Sequence, residues 1–300
     1  MIGSARLRPW AASASWLAEL ADPRRRMDLV GGLTLILLLL TTEQTWVMRV
    51  GVATLAAAAA VDRRLLRRAG YWFAVLAVYL VGVSRVVLLI DNHEFLLAYW
   101  LLALALAQLR PRADGLAVSA RLLVGFAFAF ATLWKAVTPA YTSGALFHTL
   151  LLFDPRFVGV GTALGGLPMA AAFENYALYE MLMTSGDPAV AVPVFDTPGV
   201  GWLAWGMTWW TLAIEGLVAV CFLAPTRWLL GRARHVVLLG FLFTTYVLAP
   251  VTGFGWLLVV LGLAQAPLDE HRQLLPAYAA AFVLVLVRGT APVGRLLALF

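Results

Sequence analysis

The chain has almost no cysteine: among its 300 residues only Cys221 is present, in an apolar stretch. A lone cysteine excludes disulfides within the chain, CxxC redox chemistry and thiolate metal sites. Other catalytic signatures are also missing, since no HExxH motif, Walker A loop or GxGxxG turn occurs and no histidine–carboxylate spacing suits a metal. Any chemistry must therefore come from isolated polar side chains, and no metal site is predicted.

Charge is scarce as well. Only 13% of the residues are charged and 62% are hydrophobic, with a mean hydropathy of +0.87. Soluble domains have about 45–50% apolar and about 25% charged residues, so this composition indicates a membrane protein. The net charge of +6 arises from short arginine clusters between apolar runs, a pattern that orients membrane helices. The predicted partner is the lipid bilayer, and no nucleic-acid partner is predicted.

The apolar residues are grouped in about nine runs, and a membrane helix needs about 20 such residues. The two runs that flank Pro250 and Gly253 are either separate spans or one broken hairpin. Because no repeat or linker occurs, we predict one all-α domain over residues 1–300, a polytopic transmembrane helical bundle. The runs lie at 28–42, 46–61, 71–90, 94–109, 120–138, 200–223, 236–250, 252–266 and 273–288.

The arginines predict the orientation of this bundle. Short cytoplasmic loops of membrane proteins are enriched in arginine and lysine. With a cytoplasmic N-terminus, the outer turns near 43–45, 91–94 and 249–253 contain neither residue. We therefore predict a cytoplasmic N-terminus and a multi-pass protein of the cell membrane, such as the inner membrane of a bacterium or archaeon. The inner loops would then hold Arg24–Arg26, Arg63, Arg64, Arg67, Arg68, Arg110, Arg112, Arg121, Arg227, Arg232, Arg234 and Arg272.

Two segments lie outside the predicted spans. Residues 1–27 form a cytoplasmic N-terminal segment without the features of a cleaved signal peptide, and Trp10–Leu20 within it is either an interfacial helix or a frayed end. Residues 139–199 form a long outer segment that is too interrupted by glycine and proline to span the bilayer. Its apolar stretches are expected to form interfacial helices on the outer leaflet. An aromatic belt is expected where the next span begins, at Trp202, Trp205, Trp209 and Trp210.

Ionisable side chains inside membrane spans are costly, so each needs a reason. Most of those in this chain lie near the outer ends of four spans or at an outer helix junction. This concentration predicts a polar pocket that is open to the outside or to the outer leaflet, with His93 and Lys135 facing one cavity. The residues concerned are Arg49, Arg85, Lys135 and Glu215, together with Asp91, Asn92 and His93.

Lys135 is the only lysine among 22 basic residues. The chain uses arginine elsewhere, so a single lysine in the apolar run FAFATLWKAV suggests a property that arginine lacks. A desolvated lysine amine can lose its proton and act as a general base or nucleophile, whereas arginine stays charged. The alternative is that Lys135 only extends toward the outer headgroups from a helix end.

His93 can donate or accept a proton at neutral pH, and Asn92 can orient a carbonyl or hydroxyl group. Asp91 could pair with Arg85. The alternative for this group is a polar helix start, with Asp91 or Asn92 as the cap. Glu215, nearer the middle of its span, is predicted to form a structural ion pair with a buried arginine.

The segment Asn92–Leu96 (NHEFL), followed by a leucine-rich run, resembles the NH-x-[YF]-L helix of the horizontally transferred transmembrane (HTTM) proteins. These proteins are related to the vitamin K-dependent γ-carboxylase. The segment RLLVGFAFAFATLWKAVTPAYTSG resembles a second part of that family and aligns Lys135 with its lysine and Gly144 with its glycine. Arg49 resembles an arginine near the first spans. The likeness extends loosely over residues 28–267.

This resemblance implies that Lys135 acts as a base toward a reduced quinone at the outer face, while His93 and Asn92 position it. Reduced quinone is thus the cofactor or substrate implied by the family. The sequence departs from the family at Ala136, around Tyr141, and at Thr244–Tyr246, and it contains nothing like the β-rich lumenal domain that engages carboxylase substrates. Glutamate carboxylation is therefore not expected.

Two other classes of function compete with a carboxylase-like lyase or other quinol-dependent enzyme. The first is a non-catalytic membrane subunit, or an export or maturation partner of a secreted peptide. The second is a transporter, which paired broken helices in two similar halves would favour, but no such symmetry occurs in the sequence.

Overall fold

The computed structural model describes residues 23–41, 45–84, 91–109, 114–185, 194–249, 251–266, 271 and 273–290. All regular structure in these residues is helical, which confirms the all-α class. Besides a short 3₁₀ helix (Arg63–Arg67), the helices are α1 (Pro23–Thr41), α2 (Trp46–Val61), α3 (Ala69–Ser84), α4 (Asn92–Leu109), α5 (Gly115–Val137), α6 (Pro139–Thr142), α7 (Ala145–Phe153), α8 (Val158–Ala163), α9 (Met169–Ser185), α10 (Pro198–Leu223), α11 (Leu229–Leu248), α12 (Thr252–Gln265) and α13 (Leu274–Thr290).

Each of the nine predicted apolar runs overlaps one helix, namely α1–α5 and α10–α13. Among the described residues, α5 and α10 are long and apolar enough to cross a membrane, whereas α2, α3, α12 and α13 are apolar but shorter. The number of spans and the cytoplasmic N-terminus stay predictions. The predicted interfacial helix Trp10–Leu20 lies outside the described residues, and residues 23–27 already belong to α1.

Polar residues and prolines set several helix boundaries. The Thr45 hydroxyl accepts a hydrogen bond from the Met48 amide at the start of α2, and Thr197 accepts one from the Val200 amide at the start of α10. Pro139 and Pro198 occupy the first turns of α6 and α10, where a missing N–H costs nothing. Gly144 has φ of 83°, a left-handed conformation that favours glycine, and it separates α6 from α7.

The chain divides into two compact units. The first contains the described residues of Met1–Val124 and Gly253–Phe282. Its core includes fully buried tryptophans whose indole N–H groups find acceptors: Trp100 donates to the Thr34 hydroxyl at 3.0 Å and Trp72 to the Leu66 carbonyl at 2.8 Å. At its surface, Arg67 Nε donates to Asp28 at 2.8 Å. The prediction of one domain over all 300 residues stays a prediction.

The second unit contains the described residues of Gly125–Thr252 and Val283–Phe300. The long helices α10 and α11 pack together, α6 and α7 pack against α10, and α8 and α9 pack against α7 and against each other. Most described residues of the predicted segment 139–199 are thus helical, and they share a hydrophobic core with the start of α10. That core includes Tyr141, Phe147, Leu151, Leu152, Phe157, Val160, Leu167, Ala172, Val200, Ala204 and Met207.

Candidate functional site

Lys135 and Glu215 form an ion pair between two apolar helices of the second unit. Gly125 of α5 faces Leu223 of α10 so closely that an added Cβ would lie 2.7 Å from the Leu223 side chain. Lys135 lies about 15 Å beyond Gly125 toward the C-terminal end of α5, and Glu215 lies about 12 Å from Leu223 toward the N-terminal end of α10. The two lengths nearly match, so two antiparallel helices in side-by-side contact bring the ammonium and the carboxylate together.

Burial makes this pair unusual. The Glu215 side chain is 8% exposed and the Lys135 side chain 20%. A charged group removed from water is costly unless it is paired and hydrogen-bonded, and removal of one partner strands the other. Glu215 Oε1 accepts the lysine hydrogen bond, but within the described part of the chain Oε2 is buried and accepts none. The structure gives Glu215 a lysine partner where the sequence analysis expected an arginine.

Two tyrosines lie near the pair. The ring of Tyr141 lies 5.3 Å from Lys135 Nζ, a cation–π distance, and its side chain is buried. Burial raises the pKa of Tyr141 above its ordinary value, so the phenol stays protonated and neutral. Tyr246 of α11 is fully buried within electrostatic range of Glu215. Phe128 and Phe241 pack edge to face at 4.9 Å and hold α5 against α11.

His93 lies in the first unit, in the first turn of α4. This turn is closed by a backbone hydrogen bond from the Glu94 amide to the Asp91 carbonyl at 3.0 Å. His93 Nδ1 lies 3.7 Å from Asp91 Oδ2, and the Tyr79 hydroxyl donates to the Glu94 carbonyl at 3.0 Å. The other side of the imidazole faces Gly253, where an added Cβ would lie 2.8 Å from Nε2.

A small cavity adjoins His93, with room for about one water molecule. Tyr79 and Glu94 contribute its polar lining, and Leu37, Met48 and Leu257 contribute apolar lining. A histidine nitrogen beside a small polar cavity can exchange a proton with a water molecule or a small substrate group. The cavity is too small to hold an aromatic ring in this conformation.

The other predicted site residues are less enclosed. The side chains of Arg49, Asp91 and Asn92 are exposed, and Arg85 lies outside the described residues, so its predicted pairing with Asp91 stays a prediction. His93 belongs to the first unit and Lys135 to the second. The cavity that these two residues are expected to share therefore also stays a prediction.

Sequence reasoning missed Thr132 and Tyr246 as neighbours of the pair. Thr132 lies three residues before Lys135 and hence on the same face of α5, and its methyl group lies 3.5 Å from a Cβ added at Gly216. Helical spacing was therefore a usable signal for Thr132. Tyr246 had no such signal, because its position depends on how α11 packs.

A second polar contact in this unit joins residues distant in sequence. Asn175 is buried and both donates to the Phe195 carbonyl at 2.7 Å and accepts from the Phe195 amide at 2.9 Å. His148 Nε2 lies 3.0 Å from Asp196. These contacts fix the chain just before α10 against α7 and α9.

No known protein family matches this chain, and no similar protein is found among curated proteins or solved structures.

Proposed function

We propose that this chain is a multi-pass membrane protein with about nine spans and a cytoplasmic N-terminus, and that Lys135 acts as a base toward a lipid-soluble quinol. The observation that carries the catalytic part is the buried Lys135–Glu215 pair. The HTTM and γ-carboxylase resemblance supplies the quinol. A carboxylase-like lyase is the enzyme class that the resemblance suggests, within a bacterial or archaeal inner membrane.

The exposure of apolar side chains supports a membrane environment. In α5 only 22% of the most apolar window is buried, and in α10 only 39%. The core helix of a soluble protein would be mostly buried, whereas a lipid-facing helix leaves large apolar side chains uncovered. Phe126, Phe130, Leu133 and Trp134 are exposed along α5.

The length of α10 supports a position for Glu215 near the middle of the bilayer. Glu215 lies about 12 Å before the end of α10 at Leu223, and the hydrocarbon core is about 30 Å thick. Trp209 and Trp205 lie about 21 and 27 Å before the same end. Both tryptophans are exposed, as expected for side chains at the headgroup level.

The proposed step is a proton transfer. The quinol hydroxyl gives its proton to the Lys135 amine, and the electron pair of the O–H bond stays on the oxygen as quinolate. The amine must be neutral to accept that proton, so the ion pair must first transfer its own proton from Lys135 to Glu215. Low polarity makes this transfer less costly than it is in water, because it removes both charges. His93 and Asn92 would position the quinol if the two units bring them near Lys135.

The alternative function is non-catalytic: the ion pair joins α5 to α10, and the protein is a membrane subunit or an export or maturation partner of a secreted peptide. The same burial favours this alternative, because a lysine–glutamate pair between two helices also fixes their register.

Topology is tested first. Reporter fusions after Arg68, Arg112 and Arg234 are expected to be cytoplasmic, and fusions near Glu94 and Gly186 are expected to be external. Reporter pairs active on opposite sides, such as alkaline phosphatase and green fluorescent protein, check this. An external signal at Arg112 would overturn the nine-span arrangement.

Catalysis is tested with the purified chain in nanodiscs. We expect protein-dependent oxygen consumption with 2-methyl-1,4-naphthoquinol, because a quinolate is oxidised faster than a quinol. Lys135→Arg is expected to abolish this rate at normal membrane abundance, since arginine does not release its proton. The double variant Lys135→Glu/Glu215→Lys keeps an ion pair but moves the amine.

The structural alternative predicts the opposite pattern. No oxygen consumption by the unaltered protein, or full cellular function of both Lys135→Arg and the reversed pair, would favour the non-catalytic function.

A further inference from the structure

The two oxygens of the Glu215 carboxylate are in different situations. Oε1 accepts the hydrogen bond from Lys135, whereas Oε2 is buried and has no hydrogen-bond partner among the described residues. The side chain is more than nine-tenths buried, so bulk water does not satisfy Oε2. A buried carboxylate oxygen is a strong acceptor, and leaving it without a donor is costly.

The Thr132 hydroxyl, in the same unit, is also buried without a hydrogen-bond partner among the described residues. Thr34, Thr54 and Thr208 lie in other helices, and each donates to the carbonyl four residues earlier. Thr132 does not make this local bond, so its hydroxyl can serve another group. The Thr132 side chain lies on the face of α5 that packs against Gly216, the residue after Glu215, and its methyl carbon is 3.5 Å from a Cβ added at Gly216.

We infer that Glu215 Oε2 and the Thr132 hydroxyl form a binding site for the hydroxyl group of a lipid-soluble molecule. The molecule donates its hydroxyl hydrogen to Oε2, and the Thr132 hydroxyl can donate to the same oxygen atom of the molecule. Glu215 is then a positioning residue, because it holds Lys135 through one oxygen and the ligand through the other.

The surroundings point to a ligand that arrives through the apolar phase. Leu133, Trp134 and Val137 flank Lys135 and are exposed, and the Lys135 side chain itself is one-fifth exposed. A molecule dissolved in the lipid can reach this surface without crossing a charged one. The inference rests on the proposed function for its location, but it concerns binding and requires no turnover.

The experiment compares 2-naphthol with 2-methoxynaphthalene, in which a methyl group replaces the hydroxyl hydrogen. Binding is measured by equilibrium dialysis with the full chain in nanodiscs, and protein-free nanodiscs correct for partition into lipid. The unaltered protein is expected to bind 2-naphthol about tenfold more tightly, the effect of one hydrogen bond to a charged acceptor.

Substitutions test whether Glu215 and Thr132 cause the preference for 2-naphthol. Glu215→Gln is expected to reduce the preference to about twofold, because a neutral amide accepts more weakly and one of its two positions is now a donor. Thr132→Val, which has a similar shape, is expected to cause a smaller reduction. Glu174→Gln changes an exposed glutamate of α9 and is expected to leave the preference unchanged. If Glu215→Gln does not insert, Lys135→Met/Glu215→Gln replaces it, since neutralising both partners avoids a stranded charge.

The outcomes separate this inference from the proposed function. Equal binding of both probes would mean that water satisfies the two oxygens, and it would overturn the inference, as would an unchanged preference in Glu215→Gln. A retained, Glu215-dependent preference without naphthoquinol turnover would support the binding site and remove the catalytic proposal.

Discussion

The ionisable pairs of the two units differ in how far their carboxylates are exposed to water. In the first unit, His93 lies in the first turn of α4 and its carboxylate neighbour Asp91 is 75% exposed at 3.7 Å. In the second, Lys135 has a carboxylate partner that is 8% exposed and lies well inside α10. Water can take the place of Asp91 as a partner of His93, but it cannot reach Glu215. Stability is therefore expected to depend little on the pair in the first unit and strongly on the pair in the second.

The largest expected effect comes from breaking the buried pair. Lys135→Met should lower the free energy of unfolding by about 3–5 kcal/mol, because it leaves the Glu215 carboxylate buried without its partner. Lys135→Met/Glu215→Gln should recover most of this loss. Unfolding by sodium dodecyl sulfate in mixed micelles measures both variants.

The pair of Arg156 and Asp154, whose side chains are 53% and 14% exposed, is more open to water than the buried pair and provides the control. Arg156→Met should cost no more than about 1 kcal/mol, because the arginine side chain is half exposed. A double variant at Lys135 and Glu215 that is less stable than either single variant would show that the two residues are not coupled.

A smaller effect is expected beside His93. Gly253→Ala places a methyl group 2.8 Å from His93 Nε2 and 3.3 Å from Thr41, so the imidazole must move. We expect a loss of about 1–3 kcal/mol in unfolding free energy, the usual cost of overpacking.

Gly32→Ala is the matched control in the same unit. Gly32 lies inside α1, and an added Cβ there has no neighbour within 4 Å. Alanine should stabilise that helix by up to about 1 kcal/mol. A stable Gly253→Ala variant would show that His93 can be displaced without cost.

The smallest effect is expected for Asp91→Asn. An exposed carboxylate at this distance contributes no more than about 1 kcal/mol to stability. The same micelle titration measures it beside Lys135→Met. A loss equal to that of Lys135→Met would mean that the two units do not differ in the way their exposure indicates.

The long helices could be predicted from sequence because apolar runs of this length have few other uses. All nine runs overlap a helix, from α1 at Pro23–Thr41 to α13 at Leu274–Thr290. The short helices of the segment 139–199 could not be predicted in detail. Their ends depend on the left-handed Gly144 and on contacts such as that of Asn175 with Phe195, twenty residues apart.

The candidate site shows the same limit. Composition identified Lys135, because it is the only lysine, and burial cost identified Glu215. Their pairing could not be predicted, because the two residues are 80 positions apart and the chain contains many arginines that could serve as partner. The contact of Gly125 with Leu223 sets the helix register, and sequence spacing alone does not give it.

The burial of Cys221 has a practical consequence. This thiol is fully enclosed within α10, so the natural protein presents no accessible sulfhydryl in the described part of the chain. Thiol-specific reagents can therefore be directed to introduced positions without first building a cysteine-free background. Cysteines placed at the exposed Asp91 and at Thr138, one in each unit, would allow bismaleimides of graded length to act as molecular rulers between the two polar sites.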